Sequence, residues 1–222
     1  MRIVSIQVGQ PRSYGVEGAE DPIERPWTSA IEKKPVVGKM WINGEGLSAD
    51  TQVDRRHHGG ADKALLGYSA GHYPSWRSDL DLPDLGFGSF GENLTLDGVN
   101  EHTICVGDVF QAGDVRLEVS QPRVPCQTLA RHFRVHDMVK RVLERQAFGW
   151  YYRVLHEGWL EAGMELTLLG RPYPQWTVKE AERVMRGRKA YPDQAARLAD
   201  CPKLSEDWHA TLSGSTEPAL LD

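Results

Sequence analysis

Cysteine is scarce in this sequence: three residues in 222, at positions 105, 126 and 201, with no Cys-x-x-Cys pair. An odd, widely spaced set does not build a disulfide framework and points to a reducing compartment. The missing pair also removes the usual sequence-local signature of zinc or iron–sulfur ligation. No apolar run approaches the roughly 20 residues that cross a bilayer. The opening MRIVSIQVG enters a strand pattern directly, without the apolar stretch of a secretory signal. A cytoplasmic protein without membrane attachment is therefore expected. Basic residues number 26 against 31 acidic ones, a formal charge of −5. That balance gives no pull toward nucleic acid. An anionic ligand would have to be held by local Arg, Lys and backbone N–H groups. There is no strand–helix–strand rhythm with a glycine-rich phosphate loop, which argues against a Rossmann fold.

What is present is mostly strand. Residues 2–8 alternate apolar and polar side chains, and 36–42, 64–68, 108–111, 115–120, 150–156 and 164–169 carry further strand patterns. The connections read as antiparallel. Between Gln10 and Pro35 lies a Pro-, Gly- and charge-rich stretch, long for a loop in a compact domain and so a candidate for function. Helices are predicted from His72 to about Leu80 and over 138–147, the second capped by Asp137. After Arg171-Pro172 the composition changes. Thr177 and Glu180 form a capping-box pattern, Pro192 opens a second helix, and Ser205 caps a third. The expected architecture is a β-rich α+β domain over residues 1–172, followed by a three-helix appendage over 173–222 that is too small to be stable alone.

Three clusters carry chemistry. Cys126 follows a strand in the bend Pro122-Arg123-Val124-Pro125-Cys126. The prolines limit backbone freedom, and a neighbouring cation favours the thiolate, the form that ligates metals and attacks electrophiles. Cys105, in an Ile-Cys-Val stretch, and Cys201 read as core residues. The second cluster is Arg55-Arg56-His57-His58-Gly59-Gly60-Ala61-Asp62-Lys63. Its cations and imidazoles could hold a phosphate or polarise an oxygen, and its glycines allow close backbone approach to a ligand. A solvated basic loop is the plainer account of the same residues. The third, Phe90-Gly91-Glu92-Asn93-Leu94-Thr95, could present a carboxylate and an amide at a cavity rim, although such residues more often close a turn.

Taken in order, Gly-Leu-x-x-Asp (46–50), His-Gly-Gly-x-Asp-Lys-Ala (58–64), Gly-Glu-Asn-Leu (91–94), Gly-Asp (107–108) and Ser-Gln-Pro-Arg-x-Pro-Cys (120–126) resemble the MOSC family, and within it the stand-alone YiiM type. The resemblance covers most of the chain, with the Ser120–Cys126 run its most specific part. This chain departs from it at His57, where the family has Val. The resemblance implies a barrel-like β fold and a molybdopterin whose molybdenum is bound by Cys126. It further implies reduction of N-hydroxylated compounds, such as 6-hydroxylaminopurine, to amines, with electrons from a separate reductase. On that basis Cys126, His58 and Glu92 are the candidate catalytic residues, His58 or Glu92 relaying protons. Arg55, His58, Gly59, Gly60, Lys63, Asn93 and Arg123 are the candidate cofactor-binding residues.

Two other readings remain open at this level. One is a cofactor carrier or sulfur-transfer adaptor without turnover of its own; the other is a thiol enzyme using Cys126 without metal. A homodimer is compatible with the sequence. Because every motif of the resemblance lies at or before Cys126, the tail is expected to be dispensable for cofactor binding.

Overall fold

The computed structural model describes residues 1–214, without the side chains of residues 56 and 57. Eight strands form one sheet in the order Thr167–Gly170, Val109–Ala112, Val115–Pro122, Trp150–His156, Leu65–Ser69, Leu94–Asp97, Arg2–Val8 and Lys34–Pro35. Every neighbouring pair is antiparallel except Leu65–Ser69 with Leu94–Asp97. The sheet curls back on itself. Ile3 N–H donates to the Met164 carbonyl (3.0 Å), Leu166 N–H to Met1 (2.9 Å) and Gly163 N–H to Ile3 (2.7 Å). The chain entering the last strand therefore bonds to the first, which leaves less open edge to manage. The β-rich, barrel-like expectation holds.

Alternation explains the interior. Ile3, Ile6, Leu65, Leu94, Leu96, Leu117, Val119, Trp150 and Tyr152 are all buried and belong to one apolar cluster. At about 25 cal/mol per Å² of apolar surface removed from water, such a cluster dominates the stability of the barrel. Gly67 is forced by this packing. A Cβ there would lie 2.8 Å from the Tyr152 ring and 3.0 Å from Trp150 Nε1, so two aromatic side chains occupy the space that a larger residue would need.

Several local expectations are refined. The strand expected over 36–42 is displaced to Met40–Asn43, in a small separate sheet with Gly46–Leu47 and Gly158–Leu160. The Gln10–Pro35 stretch contains its own hairpin, Arg12–Tyr14 with Trp27–Ser29. Asp137 precedes the Met138–Arg145 helix, but its side chain accepts from Arg141 Nε (2.9 Å) instead of capping. A short helix, Gln127–Phe133, was not foreseen: it starts at Cys126, which offers no side-chain cap.

The tail forms the helices Val178–Gly187, Pro192–Ala199 and Glu206–Leu212. Thr177 caps the first through Glu180 N–H (3.1 Å), and Ser205 caps the third through Trp208 N–H (3.3 Å). They enclose a second apolar cluster of Trp176, Ala181, Val184, Leu198 and Trp208, which also takes in Val106 and Cys201. The chain end from residue 215 lies outside the described residues. No helix among the described residues is long and apolar enough to cross a membrane.

Candidate functional site

A cleft of about 150 Å³ opens where three parts of the chain meet. One wall is Thr28–Ile31 and Lys33, from the long Gln10–Pro35 stretch. A second is Thr51–Asp54 with His58 and Lys63. The third is Arg123, Cys126, Thr128 and Tyr151, with Asn93 and Phe90 at the base. The bend after Pro122 places the third wall. Arg123 N–H donates to the Gly149 carbonyl (3.0 Å), so the chain leaves the sheet beside the next strand and then turns into the Gln127–Phe133 helix. The second wall carries the basic cluster.

Cys126 is the chemical centre. Its Sγ lies 3.7 Å from His58 Nε2, and His58 Nδ1 lies 3.3 Å from Tyr151 Oη. Burial pushes the Cys126 thiol up, but the His58 hydrogen bond, the Arg123 and His58 charges and Thr128 outweigh it and bring it down to about 6. Tyr151 is buried, and loss of hydration raises its phenol to about 12 against the opposing charge of Arg123. The phenol is thus a neutral O–H at physiological pH. His58 bridges that hydroxyl and the Cys126 sulfur through its two ring nitrogens.

Arg123 supplies the electrostatic pull. Only 4% of its surface is exposed, and its Nε and Nη1 have no hydrogen-bond partner among the described residues. Buried guanidinium nitrogens without acceptors are costly unless a ligand completes them. Lys33 also lines the cleft; burial lowers its pKa, opposed by its ion pair with Asp50. Asp50 in turn accepts from Gly9 N–H (2.7 Å) and Asn93 Nδ2 (2.8 Å). Among the described residues no group of three or more His, Cys, Asp and Glu side chains could hold a metal ion.

The sequence-predicted residues divide. Cys126, His58, Lys63, Asn93 and Arg123 come together on the cleft, and Asn93 also ties its base by accepting from Leu66 N–H (3.1 Å). Glu92 does not line it. It is fully buried behind the wall and accepts from Tyr73 Oη (2.5 Å), Gly88 N–H (2.7 Å), Thr95 Oγ1 (2.9 Å) and Phe90 N–H (3.2 Å). Burial raises its pKa, and with its acceptors engaged it anchors a turn instead of facing a substrate. Arg55 points outward to Glu45 at 3.2 Å, both side chains mostly exposed. Gly59 and Gly60 also lie outside the lining. A Cβ at Gly59 would come within 2.7 Å of the Arg55 carbonyl, and Gly60 sits at φ +94°. Their visible role is to end the short Arg55–His58 helix and turn the chain. Sequence reasoning missed Tyr151, Thr128 and Lys33. The length of the Gln10–Pro35 stretch was the one signal pointing to Lys33.

A family profile for the MOSC domain matches residues 54–167, which include His58, Arg123, Cys126 and Tyr151. A protein of Gibberella moniliformis (strain M3125 / FGSC 7600) named "Reductase" is 37% identical over 182 residues, 80% of this chain but 31% of that longer protein. Protein YiiM of Escherichia coli (strain K12) is 35% identical over 186 residues, 83% of each chain. The crystal structure of YiiM from Geobacillus stearothermophilus matches with a TM-score of 0.78 at 30% identity, over 96% of this chain and 97% of that one. The chain belongs to the MOSC family, as a member of the YiiM type.

Proposed function

We propose that this protein binds the molybdenum cofactor in the Cys126 cleft and reduces N-hydroxylated compounds to amines, with electrons delivered by a separate reductase. MOSC domains are associated with that cofactor in general. The observation that carries the reading is a thiol lowered to about 6 beside a buried arginine, two of whose nitrogens have no partner among the described residues. A soft anionic ligand and a cation awaiting an acceptor suit a metal carried by an anionic pterin. Cys126 would ligate the molybdenum. Arg123 and Lys63, with Lys33, would hold the anionic groups. When bound, the cofactor supplies the two-electron chemistry of R–NHOH + 2 e⁻ + 2 H⁺ → R–NH₂ + H₂O.

The chain's own residues have narrower tasks. Cys126 is held as thiolate without needing a base at the moment of binding. His58 meets the sulfur through Nε2, where it would pass a proton to a departing hydroxyl. Tyr151 would hold the imidazole in that orientation. Phe90, Ile31 and Leu66 line the cleft with apolar surface, which limits water around the reacting groups and strengthens the Arg123 field. A relative that contains a matching segment within a longer chain is named a reductase, in keeping with oxidoreductase chemistry.

The test is turnover. Protein purified from cells that make the molybdenum cofactor, supplied with a chemical reductant, should convert 6-hydroxylaminopurine to adenine. Protein from cells unable to make the cofactor should not. Cofactor-loaded protein with no turnover on any N-hydroxylated base would contradict the enzymatic reading and leave the carrier role.

A further inference from the structure

The tail reaches the cleft from behind, through the loop that carries Lys63. Lys63 is buried and lines the cleft, and its Nζ is ion-paired with Asp207 in the first turn of the Glu206–Leu212 helix. Asp207 itself is 66% exposed at the side chain and is not part of the lining. The preceding residue of the loop is held as firmly. Asp62 accepts from Glu206 N–H (2.9 Å) and from Arg153 Nε (2.8 Å). Arg153 also bonds the Lys203 carbonyl (3.0 Å) and Glu118 (2.8 Å), and Lys203 Nζ pairs with Glu118 (3.0 Å). Ser205 N–H donates to the Ser120 carbonyl (3.1 Å), at the start of the Ser120–Cys126 run, and Ser120 Oγ returns to the Asp62 carbonyl.

We propose that the C-terminal helix Glu206–Leu212 is a working part of the cleft, with Asp207 the positioning residue that holds the Lys63 ammonium in place for an anionic ligand. A long, flexible side chain stays in one place more reliably when a charge-assisted hydrogen bond holds it. Asp207 supplies that counter-charge from outside the cleft. Its own carboxylate stays at the surface and takes up no space in the cleft. The inference rests on the reading of the cleft as a cofactor site. It reverses the expectation from sequence that the tail is dispensable.

The experiment uses full-length protein purified from cells that make the molybdenum cofactor. Pterin per folded chain is measured by fluorescence after oxidation, alongside thermal melting. Lys63→Ala and Asp207→Asn should each lower pterin content by about tenfold, less than for a fully buried charge pair because the Asp207 carboxylate is exposed to solvent. Asp207→Glu, which keeps the charge, should restore most of it, and the neighbouring Glu206→Gln should match the parent protein. If Lys63→Ala loses pterin while Asp207→Asn keeps the parental level, the tail does not position Lys63 and the proposal is overturned. If Lys63→Ala itself keeps pterin, Lys63 does not hold the cofactor, and the proposal falls with its premise. If Asp207→Glu loses as much as Asp207→Asn with parental melting, the charge is not what matters, and the proposal is again overturned.

Discussion

Cys126 and Cys105 both lie in loops of the barrel domain, and both lose hydration on folding. Their surroundings push them in opposite directions. Cys105 donates to the Pro174 carbonyl (3.6 Å) at the seam with the tail, and burial with the Asp108 charge raises its thiol to about 11 despite Arg171. At Cys126 burial acts in the same sense, but an imidazole and a guanidinium reverse the outcome and bring the thiol to about 6. The difference lies in what the chain folds against each sulfur. A cation three residues away in sequence and an imidazole 68 positions away are enough to turn a buried thiol into a buried thiolate.

The sharpest way to break this comparison is differential alkylation of the cofactor-free protein. At pH 7 about nine in ten Cys126 side chains should be thiolate, against about one in ten thousand for Cys105. Iodoacetamide should therefore label Cys126 and spare Cys105, read by peptide mass spectrometry. The Cys126 rate should climb with pH to a plateau above about 6, because deprotonation creates the nucleophile. Equal labelling at pH 7, or a Cys126 midpoint near 9, would sink the account of the site.

Next in size is Arg123→Lys. A lysine keeps the charge but cannot reproduce two parallel N–H donors, so cofactor retention should fall by about tenfold. Arg197→Lys, on the tail, should leave it unchanged. Dialysis followed by pterin analysis reads the difference, and equal retention would mean that the unpartnered nitrogens of Arg123 do not face the ligand.

Tyr151→Phe should be milder. It removes the hydroxyl bonded to His58 Nδ1 and leaves the imidazole less firmly oriented. Cofactor content should persist, turnover should drop by about tenfold, and the Cys126 alkylation midpoint should move up by less than about one unit. Unchanged pH behaviour would show that Tyr151 only fills space. The smallest expected effect on chemistry is at Glu92→Gln. An amide would set N–H groups against the four donors around Glu92. Stability should fall by about 2 kcal/mol in urea unfolding, with the cofactor content of folded protein unchanged.

These residues also show what the sequence could and could not convey. Strand alternation was enough for a β-rich domain, because burial follows the two-residue period directly; its barrel-like form was implied by the family resemblance alone. Tyr151 was hidden because its role depends on register: it pairs with Gln121 across the sheet, and nothing local announces that neighbour. Glu92 and Asn93 were read together, but they lie in the bend before the Leu94–Asp97 strand, which sends Asn93 to the cleft and Glu92 to the core. The helix after Cys126 went unseen because its N-cap position holds cysteine instead of Ser, Thr, Asp or Asn. The capping signals of the tail were legible, but its grip on Asp62 and Lys63 is purely tertiary.

The central claim is that Cys126 brings molybdenum to this cleft, and metal content tests it most directly. Parent protein and Cys126→Ser, purified side by side from cells that make the molybdenum cofactor, are compared for molybdenum and pterin per chain. Serine keeps the size of the side chain but offers a hard, un-ionised oxygen. The account predicts stoichiometric molybdenum in the parent, its loss in Cys126→Ser, and no loss in Cys105→Ser. Molybdenum at the parental level in Cys126→Ser would contradict it.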